Sequence, residues 1–185
     1  MENLPLWEPP MSGTEAQHLF GMLDRLRTTF RYKADKLDIG QLATKLPSSQ
    51  LSLGGLLQHL ALVEDEKFTY FIARQRPEVF LALTADGREH FDVDLNDDPK
   101  ILYQRYDEAV AKSRKIQQSL IEEGALDTDS GWEFDGKHVS VRRIICDLVE
   151  ECGRHAGHAD LLREAVDGRV GEDAPLDYLP VWYRE

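Results

Sequence analysis

Cysteine is scarce in this chain. Cys146 and Cys152 are its two, and on one expected helix they lie about 9 Å apart along the axis at 1.5 Å per residue, too far for a disulfide within it. Cys146 is expected to be an ordinary buried or half-buried thiol, and a reducing cytoplasm is the expected location. Positive charge is also in deficit. Lys and Arg total 22 against 34 Asp and Glu, a net charge of -12, and no basic cluster offsets it. A nucleic-acid backbone or an anionic membrane is therefore excluded as the main partner. No apolar run approaches the roughly 20 residues of a membrane span. The start, Met1-Glu-Asn-Leu-Pro-Leu-Trp-Glu-Pro-Pro, has neither the positive charge nor the apolar core of a signal peptide. Several chemical motifs are missing too: His-Glu-x-x-His, Gly-x-Ser-x-Gly, a Walker loop and a Rossmann fingerprint. Their absence sets aside one class of zinc proteases, nucleophile-elbow hydrolases and the common nucleotide enzymes.

What is present is ordinary in bulk and specific in detail. With 185 residues, 42% hydrophobic and 30% charged, the chain is expected to be one domain, 1–185, with a core that needs no staples. Residues 1–12 read as an extended Pro-rich arm and 171–185 as a tail. Four capped segments of helical period lie between them, near 14–37, 52–75, 98–123 and 140–167. Thr14 with Gln17 forms a capping box, and Asp38-Ile-Gly40 closes the first segment. Leu19, Met22, Leu23, Leu26, Phe30 and Lys33 mark its inward stripe. Gly54-Gly55 in the second segment weakens its first turn and suggests close approach of another backbone. Asp98-Pro99 starts the third, which carries Ile101, Leu102, Tyr106, Val110, Ile116 and Leu120 and ends at Gly124. Residues 78–97 read as a surface excursion, and Trp132-Glu-Phe134 with Asp135-Gly136 as a short extended piece with a turn. The expected class is all-α, a four-helix bundle.

The chemistry gathers on the fourth segment. Ile144, Leu148, Glu151, His155, His158 and Leu162 step at helical spacing along one face, apolar at both ends and ionisable in the middle. Burying such groups without partners is costly. A divalent cation satisfies a carboxylate and imidazoles together; a helix rotated to put the stripe at a solvated edge is the alternative. Glu151 and His155, four residues apart, supply two ligands on one face. A third must come from another helix. His59 is the natural candidate, because Leu56, His59 and Val63 place it on the inward face of the second segment. A lone His on an apolar face is more often a core residue than a ligand, and the facing Glu-x-x-x-His pair is what changes that balance. Glu15 and His18 read as a solvated first turn, and His90 and His138 as exposed loop residues. Arg154 and Asp160 lie beside the site or on the surface.

The stretch Leu51-Ser-Leu-Gly-Gly-Leu-Leu-Gln-His59-Leu-Ala-Leu-Val-Glu64, with Glu151-x-x-x-His155-x-x-His158-Ala-Asp160, resembles the DinB-like superfamily, and more closely its branch of mycothiol S-transferases. The resemblance implies a four-helix bundle of DinB-like type that holds a divalent metal through His59, Glu151 and His155. This is the His, Glu, His set of the mycothiol-dependent maleylpyruvate isomerase branch. Zinc is the first expectation, with nickel, iron and manganese compatible with the same donors. The implied function is a metal-dependent transferase that activates a low-molecular-weight thiol, of the mycothiol or bacillithiol class, for attack on a small electrophile. The alternatives are a non-enzymatic metal or small-ligand binding protein, or a metal-dependent hydrolase or isomerase. His158 is the expected catalytic residue, with an orienting role, a fourth ligand and a purely structural role left open; a homodimer is also left open.

Overall fold

Thr14 opens the first helix. Its side chain accepts from the Gln17 N–H at 3.3 Å and its own N–H donates to the Gln17 side chain at 2.8 Å, the reciprocal box read from the spacing. The computed structural model describes residues 4–85, 91–171 and 173–184, and within them helix predominates. Helix α1 spans Glu15–Ala34. It stops three residues short of the expected end, because Asp35 is extended (φ -69°, ψ 147°) and Lys36 has φ 57°. Asp38 does not close this helix. It starts another, the one-turn α2 (Ile39–Leu42), by accepting from the Gln41 N–H at 2.8 Å.

Ser52 caps α3 (Leu53–Glu64), which passes directly into a π-helical stretch, Asp65–Ile72. There Ala73 N–H donates to Phe68 O, five residues back, at 2.8 Å, the wider turn of a π-helix. The expected surface excursion contains a helix of its own, α4 (Glu78–Thr84). Asp65, on the preceding helix, supplies its cap: Oδ2 accepts from Val79 N–H at 2.7 Å and Phe80 N–H at 3.2 Å. Asp98 starts α5 (Pro99–Glu123), and Gly124, at φ 64°, ends it. Strands β1 (Asp129–Phe134) and β2 (Lys137–Ser140) pair antiparallel. Asp135 and Gly136 join them at φ 51° and 70°, the two left-handed residues of a tight hairpin turn. Ser140 then caps α6 (Val141–Asp167). Among the described residues no helix is long and apolar enough to cross a membrane.

Helix α1 packs on α6 and α3 on α5, with α6 also against α3. Leu23, Phe30, Leu56, Leu57, Val110 and Ile144 are fully covered between them, each worth roughly 1.5–3 kcal/mol of apolar burial. Two residues of the expected stripes face outward instead: Met22 is 38% and Ile101 44% exposed, so the apolar faces are narrower than the residue pattern suggests. Cys146 is exposed and Cys152 buried. Cys146 is two residues, about 200° of helical turn, from Ile144 and so leaves the inward stripe.

The two ends are fastened to this core. The expected arm does not run free: Trp7 is 2% exposed, and its Nε1–H donates to Tyr178 O at 2.9 Å. Arg25 of α1 pairs with Glu8 on the arm side and Asp173 on the tail side. Arg163, 1% exposed, donates to the carbonyls of Lys33 at 2.9 Å and Asp35 at 2.7 Å, tying the end of α1 to α6.

Candidate metal centre

The donor atoms of His59, Glu151 and His155 all lie within 4.8 Å of one another, where α3 faces α6. Two structural facts place them there. His59 sits at the middle of α3, with Leu56 and Leu60 fully covered beside it. Glu151 and His155 are one helical turn apart, so both side chains leave α6 in the same direction. His59 Nε2 meets Glu151 Oε1 at 2.7 Å, and His155 Nε2 meets the same oxygen at 3.2 Å. The two imidazoles stand edge to face, centroids 4.8 Å apart at 72°. Donors around a tetrahedral ion at about 2.1 Å stand roughly 3.4 Å from each other. Two imidazole nitrogens and one carboxylate oxygen in this arrangement fit a divalent cation with small side-chain adjustments.

The electrostatics agree with that donor set. Burial opposes ionisation of Glu151, but the hydrogen bond from His59, with the electrostatic attraction and hydrogen bond of His155 adding to it, outweighs it, and its carboxyl lies below the ordinary Glu value. Burial, reinforced by His59, lowers the pKa of His155, so the ring is kept neutral. A neutral imidazole and an ionised carboxylate are the forms that bind metals.

His158 comes next in the chain of contacts. Its Nδ1 lies 3.2 Å from His155 Nδ1, which requires one of the two nitrogens to carry the proton. Without an ion, both His59 and His155 can donate Nε2–H to Glu151, and His155 Nδ1 then accepts from His158. Were Nε2 of His155 to hold a divalent ion, its proton would sit on Nδ1 and His158 would accept the bond instead of donating it. His158 can serve either state, and its contact is with His155, not with Glu151 or His59, in the described geometry.

The other candidates separate from this centre. His18 is exposed and contacts Pro10 O at 3.1 Å, and Glu15 pairs with Arg142. His138 is on β2, exposed, near Asp129 and Glu133 at 3.3 and 3.4 Å. His90 lies outside the described residues. Arg154 forms a surface pair with Glu150, while Asp160 pairs with the buried Lys33 at 2.7 Å.

Two features escaped the sequence. Phe91 stacks on the His59 ring, and its only advance sign is the glycine pair that admits it. A cavity of about 290 Å³ adjoins Glu151, bounded by Val63, Glu66, Lys67, Asp147, Leu148 and Glu150. No motif announces it, because its walls come from two helices distant in sequence.

Against this geometry, the family model described as Mycothiol-S-transferase matches residues 18–168. The chain belongs to the mycothiol S-transferase family. This is a DinB-like family, and the match spans the elements from α1 to the end of α6, with all three donors inside it. A solved structure of a conserved protein from Enterococcus faecalis is similar in fold: TM-score 0.58 at 18% identity, covering 85% of this chain and 100% of that one. At that identity the likeness concerns the fold alone. No curated protein matches this mycothiol S-transferase family member significantly.

Proposed function

We propose that the protein is a divalent-metal-dependent S-transferase on a single DinB-type four-helix bundle, acting in the cytoplasm. It joins a low-molecular-weight thiol, of the mycothiol class before bacillithiol, to a small electrophile. The observation that carries this reading is the convergence of His59, Glu151 and His155 on one point between α3 and α6, in a chain of this family. Zinc is the first choice of ion, with nickel, iron or manganese suited to the same donors. A divalent cation held there supplies a positive charge that lowers the pKa of a thiol brought beside it.

The remaining work belongs to the chain's own residues. Glu151, ionised, offsets part of the ion's charge, and His59 and His155 bind in neutral form. His158 holds the Nδ1 side of His155 and with it the direction of Nε2. Three protein donors leave room for an incoming sulfur. The cavity beside Glu151, with Leu148 and Val63 buried in its wall, gives the thiol and its acceptor a place to meet. In the transfer itself the sulfur gives an electron pair to the electrophilic carbon, a new S–C bond forms as the carbon's bond to its leaving group breaks, the leaving group departs with that bonding pair, and the thiol proton passes to solvent.

The test uses the full chain loaded with a quantified metal. It is mixed with mycothiol, bacillithiol or glutathione and a bimane electrophile, and loss of free thiol is followed. Metal-dependent consumption of mycothiol, abolished by chelation, supports the reading. If a metal-occupied protein consumes none of the thiols, the transferase reading fails and a binding or hydrolytic role takes its place.

A further inference from the structure

The glycine pair of α3 and the ring of Phe91 form one device. Gly55 and His59 are one helical turn apart and face the same way. A Cβ on Gly55 would lie 2.3 Å from Phe91 O, far inside any real contact, so this backbone rests directly on the bare helix. A Cβ on Gly54 would lie 2.8 Å from Val93 Cγ2. Between those two contacts Gln58 Nε2–H donates to Asp92 O at 2.8 Å, and Arg105 donates to Gln58 Oε1 at 3.4 Å. Residues 91–93 are thus pinned across the first turns of α3. The Phe91 ring then falls over the next turn, stacked on His59 with centroids 4.7 Å apart and planes at 27°.

We propose that Phe91 is a positioning residue of the candidate metal centre: seated on Gly55, it fixes the plane of the His59 ring and so the direction of Nε2. An imidazole on a helix is otherwise loosely held about its last torsion, which is broad and nearly two-fold. Here Phe91 covers a face, the His155 ring meets an edge at 4.8 Å, and Glu151 Oε1 receives Nε2 at 2.7 Å. Groups that orient a metal-binding imidazole typically change metal affinity by about 10–100-fold when removed. The Phe91 ring stacks on His59, so its effect is transmitted through that ring. The consequence for metal rests on the metal reading above; the orientation of His59 does not.

Phe91→Ala, Phe91→Tyr and Gly55→Ala test this in the full chain, with Phe134→Ala, 69% exposed on the hairpin, as control. In metal-free protein, the His59 ring protons should carry an upfield ring-current shift in the NMR spectrum that Phe91→Ala abolishes and Phe91→Tyr keeps. Co(II) titration should show affinity reduced about ten-fold or more in Phe91→Ala, with altered visible absorption of the bound ion. Phe91→Tyr should restore both. Gly55→Ala should behave like Phe91→Ala, although alanine is the better helix former. Should Gly55→Ala fail to fold, Phe91→Ala alone decides. Parent-like Co(II) affinity and spectrum in Phe91→Ala, or an unmoved His59 signal, overturns the proposal. If the parent chain itself takes up no Co(II), the metal reading fails, and the NMR arm still decides whether Phe91 orients His59.

Discussion

Arg27 and Glu64 form a parallel two-bond ion pair inside the core, Nε to Oε1 and Nη2 to Oε2, both at 2.7 Å. The arginine has no exposure and the glutamate 1%. The remaining guanidinium nitrogen donates to Asp24 at 2.8 Å and Gln117 at 3.0 Å, so the pair joins α1, α3 and α5. Glu64 is the last residue of α3 before the π-helical stretch, and the buried Cys152 beside this network follows Glu151 directly. The network holds the helix that presents His59 against the rest of the core.

Removing one partner leaves an uncompensated buried charge. Glu64→Ala or Arg27→Ala should therefore destabilise the fold by about 3–5 kcal/mol, read from urea unfolding midpoints. The paired replacement Arg27→Met with Glu64→Leu should cost less than either single change. A double variant weaker than both singles would show that the pair does not act as a unit.

His59→Ala should abolish stoichiometric metal in elemental analysis of the purified chain while leaving its helical circular dichroism unchanged. Two donors, Glu151 and His155, remain on α6 alone, too few for a stable site. Full occupancy in that variant would remove His59 from the donor set.

Much of this was legible from local pattern, and the failures have a common cause. The caps at Thr14 and Asp98 and the ionisable stripe on α6 are signals within a few residues, and each stands where the spacing puts it. Gly54-Gly55 correctly announced a close backbone. What approached was not legible, since Phe91 is 36 residues further along the chain. The same holds for α4, whose cap comes from Asp65, and for Trp7, whose partner carbonyl belongs to Tyr178. Lys33 was read as inward-facing, but Arg27 and Glu64 were not, because charged residues are buried only when a distant partner exists, and one-dimensional periodicity does not identify partners.

The two thiols should differ sharply. Cys152 is 2% exposed, and burial, with the nearby Glu64 charge adding to it, pushes its pKa well above the ordinary thiol value. Cys146 is exposed. In native protein at pH 8 a thiol reagent should label Cys146 rapidly and Cys152 only in denaturant. Equal labelling rates in the native state, read by peptide mass, would contradict this packing.

Acid should loosen the junction of α1 and α6. The hydrogen bond from Arg163 lowers the pKa of Asp167 beneath 3.8, against a smaller opposing effect of burial. A carboxyl whose folded pKa is depressed stabilises the fold above its unfolded value and loses that contribution as pH falls through the folded one. The Asp167 share of stability should thus be complete above about pH 4 and vanish below its folded pKa. Asp167→Asn should remove this acid-dependent step while leaving unfolding near pH 7 only modestly changed; an unaltered acid profile would take Asp167 out of the junction.

His158 offers the sharpest division between holding and reacting. If His155 Nε2 held an ion, its Nδ1–H would face His158 Nδ1, 3.2 Å away, and His158 would act as acceptor. His158→Ala deletes that acceptor, so metal affinity should fall by roughly 10–100-fold with the ion still binding at saturating concentration. His158→Asn restores a side-chain carbonyl acceptor but no basic nitrogen. If His158 only orients His155, His158→Asn should regain both affinity and turnover. If it releases His155 during turnover and takes the thiol proton on that freed nitrogen, His158→Asn should regain affinity yet stay about 100-fold slow. Turnover and affinity both unchanged in His158→Ala would reduce the residue to packing against its neighbour.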